Sequence, residues 1–334
     1  MKRFLTALAI AAFWCGDARA EVDCAAPVEI SAPLGEVKPL ERVADYQTKI
    51  LKSCAREKEK EKEKTAALAI RDMVVDGEEL LLMVDPDSLQ TRLERAACWT
   101  CREAGPEAKE SRYLKAVEEL GASTGKKRPP GSNWLENAGL THGREKQGVF
   151  VTGDLCPSKK PLDRSFLLKL EAQKAPVALS VTGAWIKHHH EDFTWLRREK
   201  AEGRLTILWV NHSFTHPYQR GLPYGETFLL TPGLDPEDEI ANVERLLIAN
   251  GETPSVFFRY PGLISDAAWA SRLRAAHLIP LGADAWLALG ERPGPGGVIL
   301  VHPNGNEPAG LAVFDRLNQL GALPKPFRPL MEAP

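Results

Sequence analysis

Residues 205–219 read LTILWVNHSFTHPYQ, an apolar run followed directly by two histidines. The run from Leu205 to Val210 has the length and the apolar, partly β-branched composition of a buried strand. His212 and His216 stand four positions apart, and on a helical turn this spacing puts two imidazoles on one face, where both can reach a metal ion. The spacing alone fits two surface histidines equally well, so the choice depends on the rest of the chain.

Short apolar runs alternate with helical patterns from Gly148 onward. Strands that alternate with helices indicate a parallel sheet, which is either an open doubly wound sheet or a (β/α) barrel. About seven units are present, fewer than the eight of a full barrel, so an incomplete or distorted barrel is one of the solutions. The candidate strands are GVFVTGD, APVALSVTG, RLTILWVN, SVFFRYPG, LIPLGAD and GGVILVH.

Polar side chains stand at or just past the carboxyl ends of five of these candidate strands. In parallel α/β folds the loops that follow the strands converge at this edge of the sheet, and active sites form there. Their shared placement favours a metal site over two unrelated surface histidines. The residues are Asp154, the pair His212 and His216, Arg259, Asp284 and His302.

Each of the other four residues suits a role in hydrolysis. Asp154 suits a metal ligand, a general base that activates water, or a helix cap. Arg259 suits a bidentate partner that orients the Asp154 carboxylate, or a structural salt bridge. His302 suits a general acid because imidazole titrates near neutral pH, and a nearby Asp284 carboxylate would raise the pKa of His302.

Residues from about 148 to 320 resemble the polysaccharide deacetylase family, carbohydrate esterase family four. The family's five motifs occur in order. The resemblance implies a distorted (β/α) barrel that removes acetyl groups from chitin, peptidoglycan, xylan and related glycans with a divalent metal ion, usually zinc. The matching segments are TGDLCPS (152–158, where the family has TFDDGPS), HSFTH (212–216), RYPG (259–262), DAW (284–286) and LVH (300–302).

The resemblance also implies roles for single residues. His212 and His216 would be metal ligands, and Asp154 the catalytic base. Arg259 would orient that base. His302 would be the general acid, with its pKa tuned by Asp284. Hydrolysis would then be metal-assisted, with a proton passing from water to the base and from the acid to the leaving group.

One position departs from the family in a way that affects the metal. Leu155 stands where the family has a second aspartate, the third ligand, and leucine cannot bind a metal. Either Asp154 becomes the ligand, or two histidines and water hold the ion, or another carboxylate such as Asp163 reaches in. We expect Asp154 to lie near the metal in some role. The adjoining Cys156 is interpreted as an unpaired cysteine packed under the loop, with a soft ligand or a reactive thiol as the alternatives.

The first twenty residues predict a secretory signal peptide, with a basic start, an apolar stretch from Phe4 to Trp14 and a small-residue cleavage pattern before Glu21. A membrane anchor needs a longer apolar run than this stretch, and no later segment reaches such a length. A lipid anchor on Cys15 is disfavoured by the bulky Trp14 before it. We therefore expect an exported protein, periplasmic or secreted.

Five cysteines remain after the predicted cleavage, so at least one thiol is expected to be unpaired. The CWTC segment is expected to form structural disulfides, either between Cys98 and Cys101 or between these two and Cys24 and Cys54.

Residues 21–147 are predicted to be a mainly helical region of unknown role, followed by a deacetylase-like domain over 148–325. The formal net charge of −2 gives no electrostatic footprint for nucleic acid. The sequence therefore predicts an exported, metal-dependent hydrolase of acetylated glycans. The alternative is a non-catalytic glycan-binding or envelope-assembly protein on a degenerate fold of the same kind.

Overall fold

The computed structural model of the protein describes residues 22–56, 67–127 and 131–334. The predicted signal peptide, 1–20, lies outside these residues. Among the described residues, no helix has the length and apolar character needed to cross a lipid bilayer.

The first part of the chain is an antiparallel sheet, so the prediction of a mainly helical region is wrong. Its strands run in the order β5-β4-β3-β2-β6, and β1 pairs with β3. Within the described part of residues 22–147 the only α-helix is α1 (Arg112–Gly121). The strands are β1 (Val43–Gln47), β2 (Lys52–Ala55), β3 (Ala67–Val75), β4 (Glu78–Val84), β5 (Thr91–Arg95) and β6 (Thr100–Glu103).

A two-residue turn explains the strongest pairing in this sheet. Asp76 and Gly77 join β3 to β4, and both have positive φ, at 51° and 87°. An Asp-Gly pair between apolar runs is a strong hairpin signal because the favoured tight turns need left-handed backbone. The turn therefore sets β3 and β4 as strands, although this region was predicted to be mainly helical.

Two disulfides hold the same sheet. Cys24 is bonded to Cys98, and Cys54 is bonded to Cys101 from the neighbouring strand. Of the two predicted arrangements, the mixed one is thus correct. Cys156 is a free, buried thiol, as the odd number of cysteines predicted.

The larger part of the chain is a curled, parallel seven-stranded sheet, which confirms the distorted (β/α) barrel. The sheet order is β14-β12-β11-β10-β9-β16-β15. This is the cyclic order of a barrel, open between its fifth and sixth strands, and not the reversing order of a doubly wound sheet. The strands are β9 (Val149–Leu155), β10 (Val177–Val181), β11 (Ile207–Asn211), β12 (Pro254–Arg259), β14 (Ile279–Leu281), β15 (Ala285–Trp286) and β16 (Gly297–Val301). A small separate sheet has the order β13-β8-β7 and contains β7 (Lys126–Lys127), β8 (Trp134–Glu136) and β13 (Ile264–Asp266).

An extended segment before β9 lies across the open side of the barrel. Leu140 donates its N–H to the Pro280 carbonyl on β14, at 2.9 Å. Next to it, the Thr141 carbonyl accepts from the N–H of Val298 on β16, also at 2.9 Å. The segment thereby joins β14, at one edge of the gap, to β16, which pairs with the edge strand β15 on the other side.

Helices cover the outer face of the barrel and share its core. Phe166, Trp185 and Phe314 from three helices pack with strand residues such as Leu179 in one buried cluster. The antiparallel sheet packs on the barrel as well, since Ile70 and Val210 belong to a common cluster. The barrel helices are α2 (Arg164–Ala172), α3 (Gly183–His188), α4 (His190–Ala201), α5 (Pro236–Ala249), α6 (Ala267–Ala275) and α7 (Pro308–Gln319).

Candidate active site

The barrel brings four of the predicted residues together at the carboxyl ends of its strands. Asp154 is the penultimate residue of β9, His212 follows β11, Arg259 ends β12 and His302 follows β16. All four are buried. The Oδ2 atom of Asp154 is 3.6 Å from Nε2 of His212 and 4.0 Å from Nη1 of Arg259.

The alternation of side chains along β9 decides which residues face this site. Successive strand residues point to opposite faces, so Asp154 and Cys156 share a face and Leu155 takes the other. Leu155 is fully buried in the cluster formed with the helices. It therefore packs away from the site, whereas Asp154 and Cys156 point into it.

The two histidines meet through an irregular loop, so the expectation of a helical turn is wrong. Ser213 and His216 have left-handed backbone, with φ of 67° and 48°. Such strain in residues other than glycine concentrates at functional sites. Two local hydrogen bonds hold the loop, one from Ser213 N to Asn211 Oδ1 at 3.0 Å and one from His216 N to Ser213 Oγ at 3.2 Å.

Helix α5 anchors the same loop from outside. The buried Glu239 carboxylate accepts hydrogen bonds from the N–H and the hydroxyl of Thr215, at 3.0 and 2.6 Å. The ring centres of His212 and His216 are consequently held 4.9 Å apart.

The ring nitrogens of the two histidines are oriented as metal ligands require. Nδ1 of His212 is 2.9 Å from the Arg259 carbonyl oxygen, and only a protonated Nδ1 can donate to a carbonyl. The lone pair of its Nε2 then faces the site, an arrangement typical of metal-binding histidines. Nε2 of His216 is buried and has no hydrogen-bond partner among the described residues. These observations fit a divalent metal ion.

The nearest third donor to the histidines is Cys156. Donor atoms of Cys156, His212 and His216 all lie within 4.8 Å of one another. Asp154 is outside that group, and Asp163 caps α2 by accepting the Phe166 N–H at 3.1 Å. The sequence-based choice of Asp154 as a ligand therefore differs from the donor set that the structure assembles.

Asp154 is placed as a carboxylate with one free oxygen. Its Oδ1 has no hydrogen-bond partner among the described residues. Burial raises the pKa of Asp154, but Arg259, His212 and His302 lower it further, so that the pKa stays below its usual value. The carboxylate is therefore ionised at neutral pH.

Arg259 does not form the predicted bidentate pair with Asp154. Its Nη2 donates instead to the Thr152 hydroxyl at 2.8 Å, and only Nη1 approaches Asp154. Thr152 precedes Asp154 by two residues on the same face of β9, which places the hydroxyl in the path of the guanidinium. Burial lowers the pKa of Arg259.

His302 has a carboxylate partner that was not among the predicted residues. Nδ1 of His302 is 2.8 Å from Oε2 of Glu307, just before α7. Burial lowers the pKa of His302, but Cys156 and Glu307 together raise it to about 10. A glutamate five residues after the histidine, in the same loop, was the available sequence signal.

Asp284 lies apart from His302, so its predicted role as the tuning carboxylate is wrong. Its carboxylate is 2.9 Å from Nε2 of His142 and accepts the Gly294 N–H at 2.9 Å. Its own N–H donates to the carbonyl of Val298, four residues before His302. Four strand residues span roughly 13 Å.

Cys156 lies against both histidines. Its Sγ is 3.4 Å from Nε2 of His212. Burial raises the pKa of the Cys156 thiol, but His216 and His212 lower it well below its ordinary value. The same pairing with Asp154 and Cys156 raises the pKa of His212 against the effect of burial.

An aromatic wall borders the histidines. Gly262 has a φ of 60°, and a β-carbon there would lie 2.5 Å from the Phe228 ring. Gly262 thus leaves room for Phe228, which meets His216 edge-on at 5.8 Å. The exposed Tyr218 stacks on the ring of Phe228, with ring centres 5.1 Å apart.

No protein-family model matches the chain. The chain is similar to solved structures of family 4 carbohydrate esterases. One from Bacillus anthracis is 20% identical, with 66% of this chain and 90% of that chain covered and a TM-score of 0.42. One from Streptomyces lividans, in complex with acetate, is 21% identical, with 55% and 93% covered and a TM-score of 0.37. A pseudoenzyme of that esterase family from Bacillus anthracis is 17% identical, with 55% and 64% covered and a TM-score of 0.37.

Proposed function

We propose that the protein is an exported, metal-dependent hydrolase that removes acetyl groups from an acetylated polysaccharide or glycan. The observation that carries the proposal is the position of Asp154, whose Oδ2 is 3.6 Å from the inward-facing nitrogen of His212 while Oδ1 has no partner among the described residues. A carboxylate with a free oxygen beside a metal-binding histidine suits a general base for hydrolysis.

Asp154 and His302 divide the proton transfers. Asp154 is ionised and takes a proton from the attacking water. His302 is protonated at neutral pH because its pKa is raised to about 10, so it can give a proton to the departing nitrogen or oxygen. Arg259 stabilises the charge of the Asp154 carboxylate from about 4.0 Å without forming a forked pair with it.

His212 and His216 would hold the divalent metal ion. A bound ion of this kind acts as a Lewis acid and polarises the acetyl carbonyl. The Arg259 carbonyl fixes the orientation of His212, and Glu239 holds the loop that carries His216 through Thr215.

Export is part of the same proposal. The predicted signal peptide and the two disulfides support an oxidising compartment, either the periplasm or the extracellular space. Acetylated cell-wall or extracellular glycans are polymers that an enzyme in this compartment would meet.

Acetate release by the metal-loaded protein tests the proposal. Acetylated chitin oligomers, xylan and peptidoglycan would be the substrates, and wild type would be compared with Asp154→Asn. We expect the variant to lose about 10²- to 10⁴-fold in kcat, the usual contribution of a general base, and to keep its metal content. The matched control is Asp163→Asn, which removes a carboxylate outside the site while asparagine can still cap α2, and should retain activity.

The second candidate is a non-catalytic glycan-binding or envelope-assembly protein, which the packing of Leu155 into the helix-side core favours. Binding of glycans by wild type without acetate release from any of them would support this candidate. Equal rates for wild type and Asp154→Asn would contradict the assigned base.

A further inference from the structure

We propose that Cys156 is the third protein ligand of the metal, giving a Cys156–His212–His216 centre that selects a soft ion such as zinc and leaves Asp154 free. The inference concerns the metal of the proposed hydrolase and rests on that function. In this assignment, a donor one position further along the chain replaces the ligand that Leu155 cannot provide.

The direction of the side chains supports this assignment. Leu155 points into the helix-side core, so its position faces away from the histidines. Cys156 comes one residue later, on the face that Asp154 also occupies. At the end of β9, the histidines are thus faced by position 156 and not by position 155.

The distances fit a tetrahedral ion. Zinc binds thiolate sulfur at about 2.3 Å and imidazole nitrogen at about 2.0–2.1 Å, so two such donors at the tetrahedral angle are about 3.5 Å apart. Sγ of Cys156 and Nε2 of His212 are separated by 3.4 Å. All three donor atoms are within 4.8 Å of each other, and the His216 nitrogen has no other partner among the described residues.

A second set of contacts fixes these donors. The Cys156 carbonyl accepts a hydrogen bond from Nδ2 of the buried Asn304 at 2.8 Å, which ties the end of β9 to the loop after β16. His212 is fixed through its Nδ1 by Arg259. Partners of this kind orient metal ligands and are part of a built site.

The donor set predicts metal preference. A thiolate with two imidazoles suits zinc or cobalt, whereas magnesium, manganese and calcium prefer oxygen donors. Asp154 then keeps both oxygens for proton transfer, which separates the roles of base and ligand that the sequence left open.

Cobalt spectroscopy tests the assignment without reference to activity. The full chain would be freed of metal with a chelator and loaded with Co²⁺. We expect one ion per chain and a near-ultraviolet sulfur-to-cobalt charge-transfer band. Cys156→Asp should keep the visible cobalt bands of a low-coordinate site and lose the charge-transfer band, and Cys156→Ser should weaken Zn²⁺ binding by more than about a hundredfold, the upper end of the loss seen when only an outer-shell partner is removed.

Leu155→Asp is the discriminating control. If the third position were vacant, a carboxylate at 155 would strengthen Zn²⁺ binding. Our assignment predicts no gain in affinity and a loss of stability, since that side chain lies in the core. Circular dichroism of each variant identifies any that fail to fold, and Cys156→Asp and Cys156→Ser test the sulfur independently.

The outcomes separate the ligand from the function. A wild-type cobalt spectrum without the charge-transfer band would contradict the assignment of Cys156 as a metal ligand, even if the protein releases acetate. Unchanged Zn²⁺ affinity in Cys156→Ser would contradict it as well. A charge-transfer band in a protein that releases no acetate would support Cys156 as a metal ligand and contradict the proposed hydrolase activity. An acetylated Cys156 trapped during turnover, with Zn²⁺ affinity independent of Cys156, would make the thiol a nucleophile and also overturn the proposal.

Discussion

Oε2 of Glu307 is 2.8 Å from Nδ1 of His302 and accepts a hydrogen bond from Nε1 of Trp286 at 2.7 Å. The carboxylate is therefore held in place by the indole while it contacts the imidazole. Its negative charge favours the protonated form of His302. Glu307 thus positions His302, the proposed acid, and favours its protonated form.

Glu307→Gln is expected to lower the pKa of His302 by about one unit, because a neighbouring opposite charge is removed. Since His302 must carry a proton to act as an acid, the alkaline limb of the kcat/KM profile should move to lower pH. The profile of the metal-loaded enzyme measures the shift. Asp284→Asn, which changes a carboxylate bonded to His142 and Gly294, should leave this limb in place. A shift in Asp284→Asn alone would restore the sequence-based assignment.

These two carboxylates show what the sequence could predict. Six of the seven barrel strands were predictable because they are largely buried on both sides and form continuous apolar runs, whereas the two-residue β15 was not. Asp284 follows such a run, but the two-residue strand β15 begins directly after Asp284. Asp284 therefore lies at a different height along the barrel from His302. Only the pairing of strands shows that difference, and it cannot be found from periodicity.

The sequence did not predict the antiparallel sheet or the Cys156 donor, and the reasons differ. Charges of alternating sign over residues 56–64, most of which lie outside the described residues, imitate the i, i+4 pattern of a helix, although the Asp76-Gly77 turn was an available hairpin signal. Cys156 could be assigned only once the end of β9 was known, because a shift of one residue exchanges the two faces of a strand. The histidine pair was interpreted as a metal site because polar residues stand at the ends of four other apolar runs, a pattern that the sequence shows without any knowledge of strand pairing.

Tyr218 is expected to bind substrate. It is 60% exposed and stacks on Phe228, which contacts His216, so its outer face can stack on a pyranose ring next to the metal site. Tyr218→Ala should raise KM for a glycan polymer about three- to tenfold, the equivalent of one aromatic contact, with little change in kcat.

Steady-state kinetics with Tyr218→Phe and Leu320→Ala provide the controls for this prediction. Tyr218→Phe keeps the ring and should behave as wild type, and Leu320 is an exposed apolar residue at the end of α7. An equal rise of KM in Leu320→Ala, or a fall in kcat alone for Tyr218→Ala, would contradict a role in binding.

The ion pair between Arg71 and Glu244 should make the antiparallel sheet and the barrel unfold together. Arg71 on β3 and Glu244 on α5 are both buried and joined by two hydrogen bonds of 2.7 and 3.1 Å. Removal of one partner leaves a buried charge unpaired, which costs about 3–5 kcal/mol. We therefore expect Glu244→Leu to lower the free energy of unfolding by that amount in denaturant titration.

The double variant Arg71→Met/Glu244→Leu separates pairing from packing. It removes both charges and should recover part of the loss. The free energies of the two single changes and the double change form a thermodynamic cycle. Simple additivity in that cycle, or separate transitions for the two sheets in wild type, would contradict the predicted coupling.

His277 is expected to make the protein less stable in acid. It follows α6, and its carbonyl accepts a hydrogen bond from the Tyr113 hydroxyl. Burial and the charge of Arg71 lower the pKa of His277 to about 4. The unfolded chain takes up a proton near pH 6.5, whereas the folded chain does so only near pH 4, so stability is full above the first value and is lost as the pH falls toward the second.

The loss assigned to His277 amounts to about 3.5 kcal/mol at most, since each pKa unit corresponds to about 1.4 kcal/mol. His277→Asn should remove this part of the pH dependence, and asparagine tolerates the left-handed backbone at this position, where φ is 55°. Denaturant titrations of wild type and variant between pH 4 and pH 7 measure the difference. The matching change at the exposed His190, His190→Asn, controls for the removal of a surface imidazole. An equal loss of pH dependence in that control would show that the acid sensitivity does not come from burial of His277.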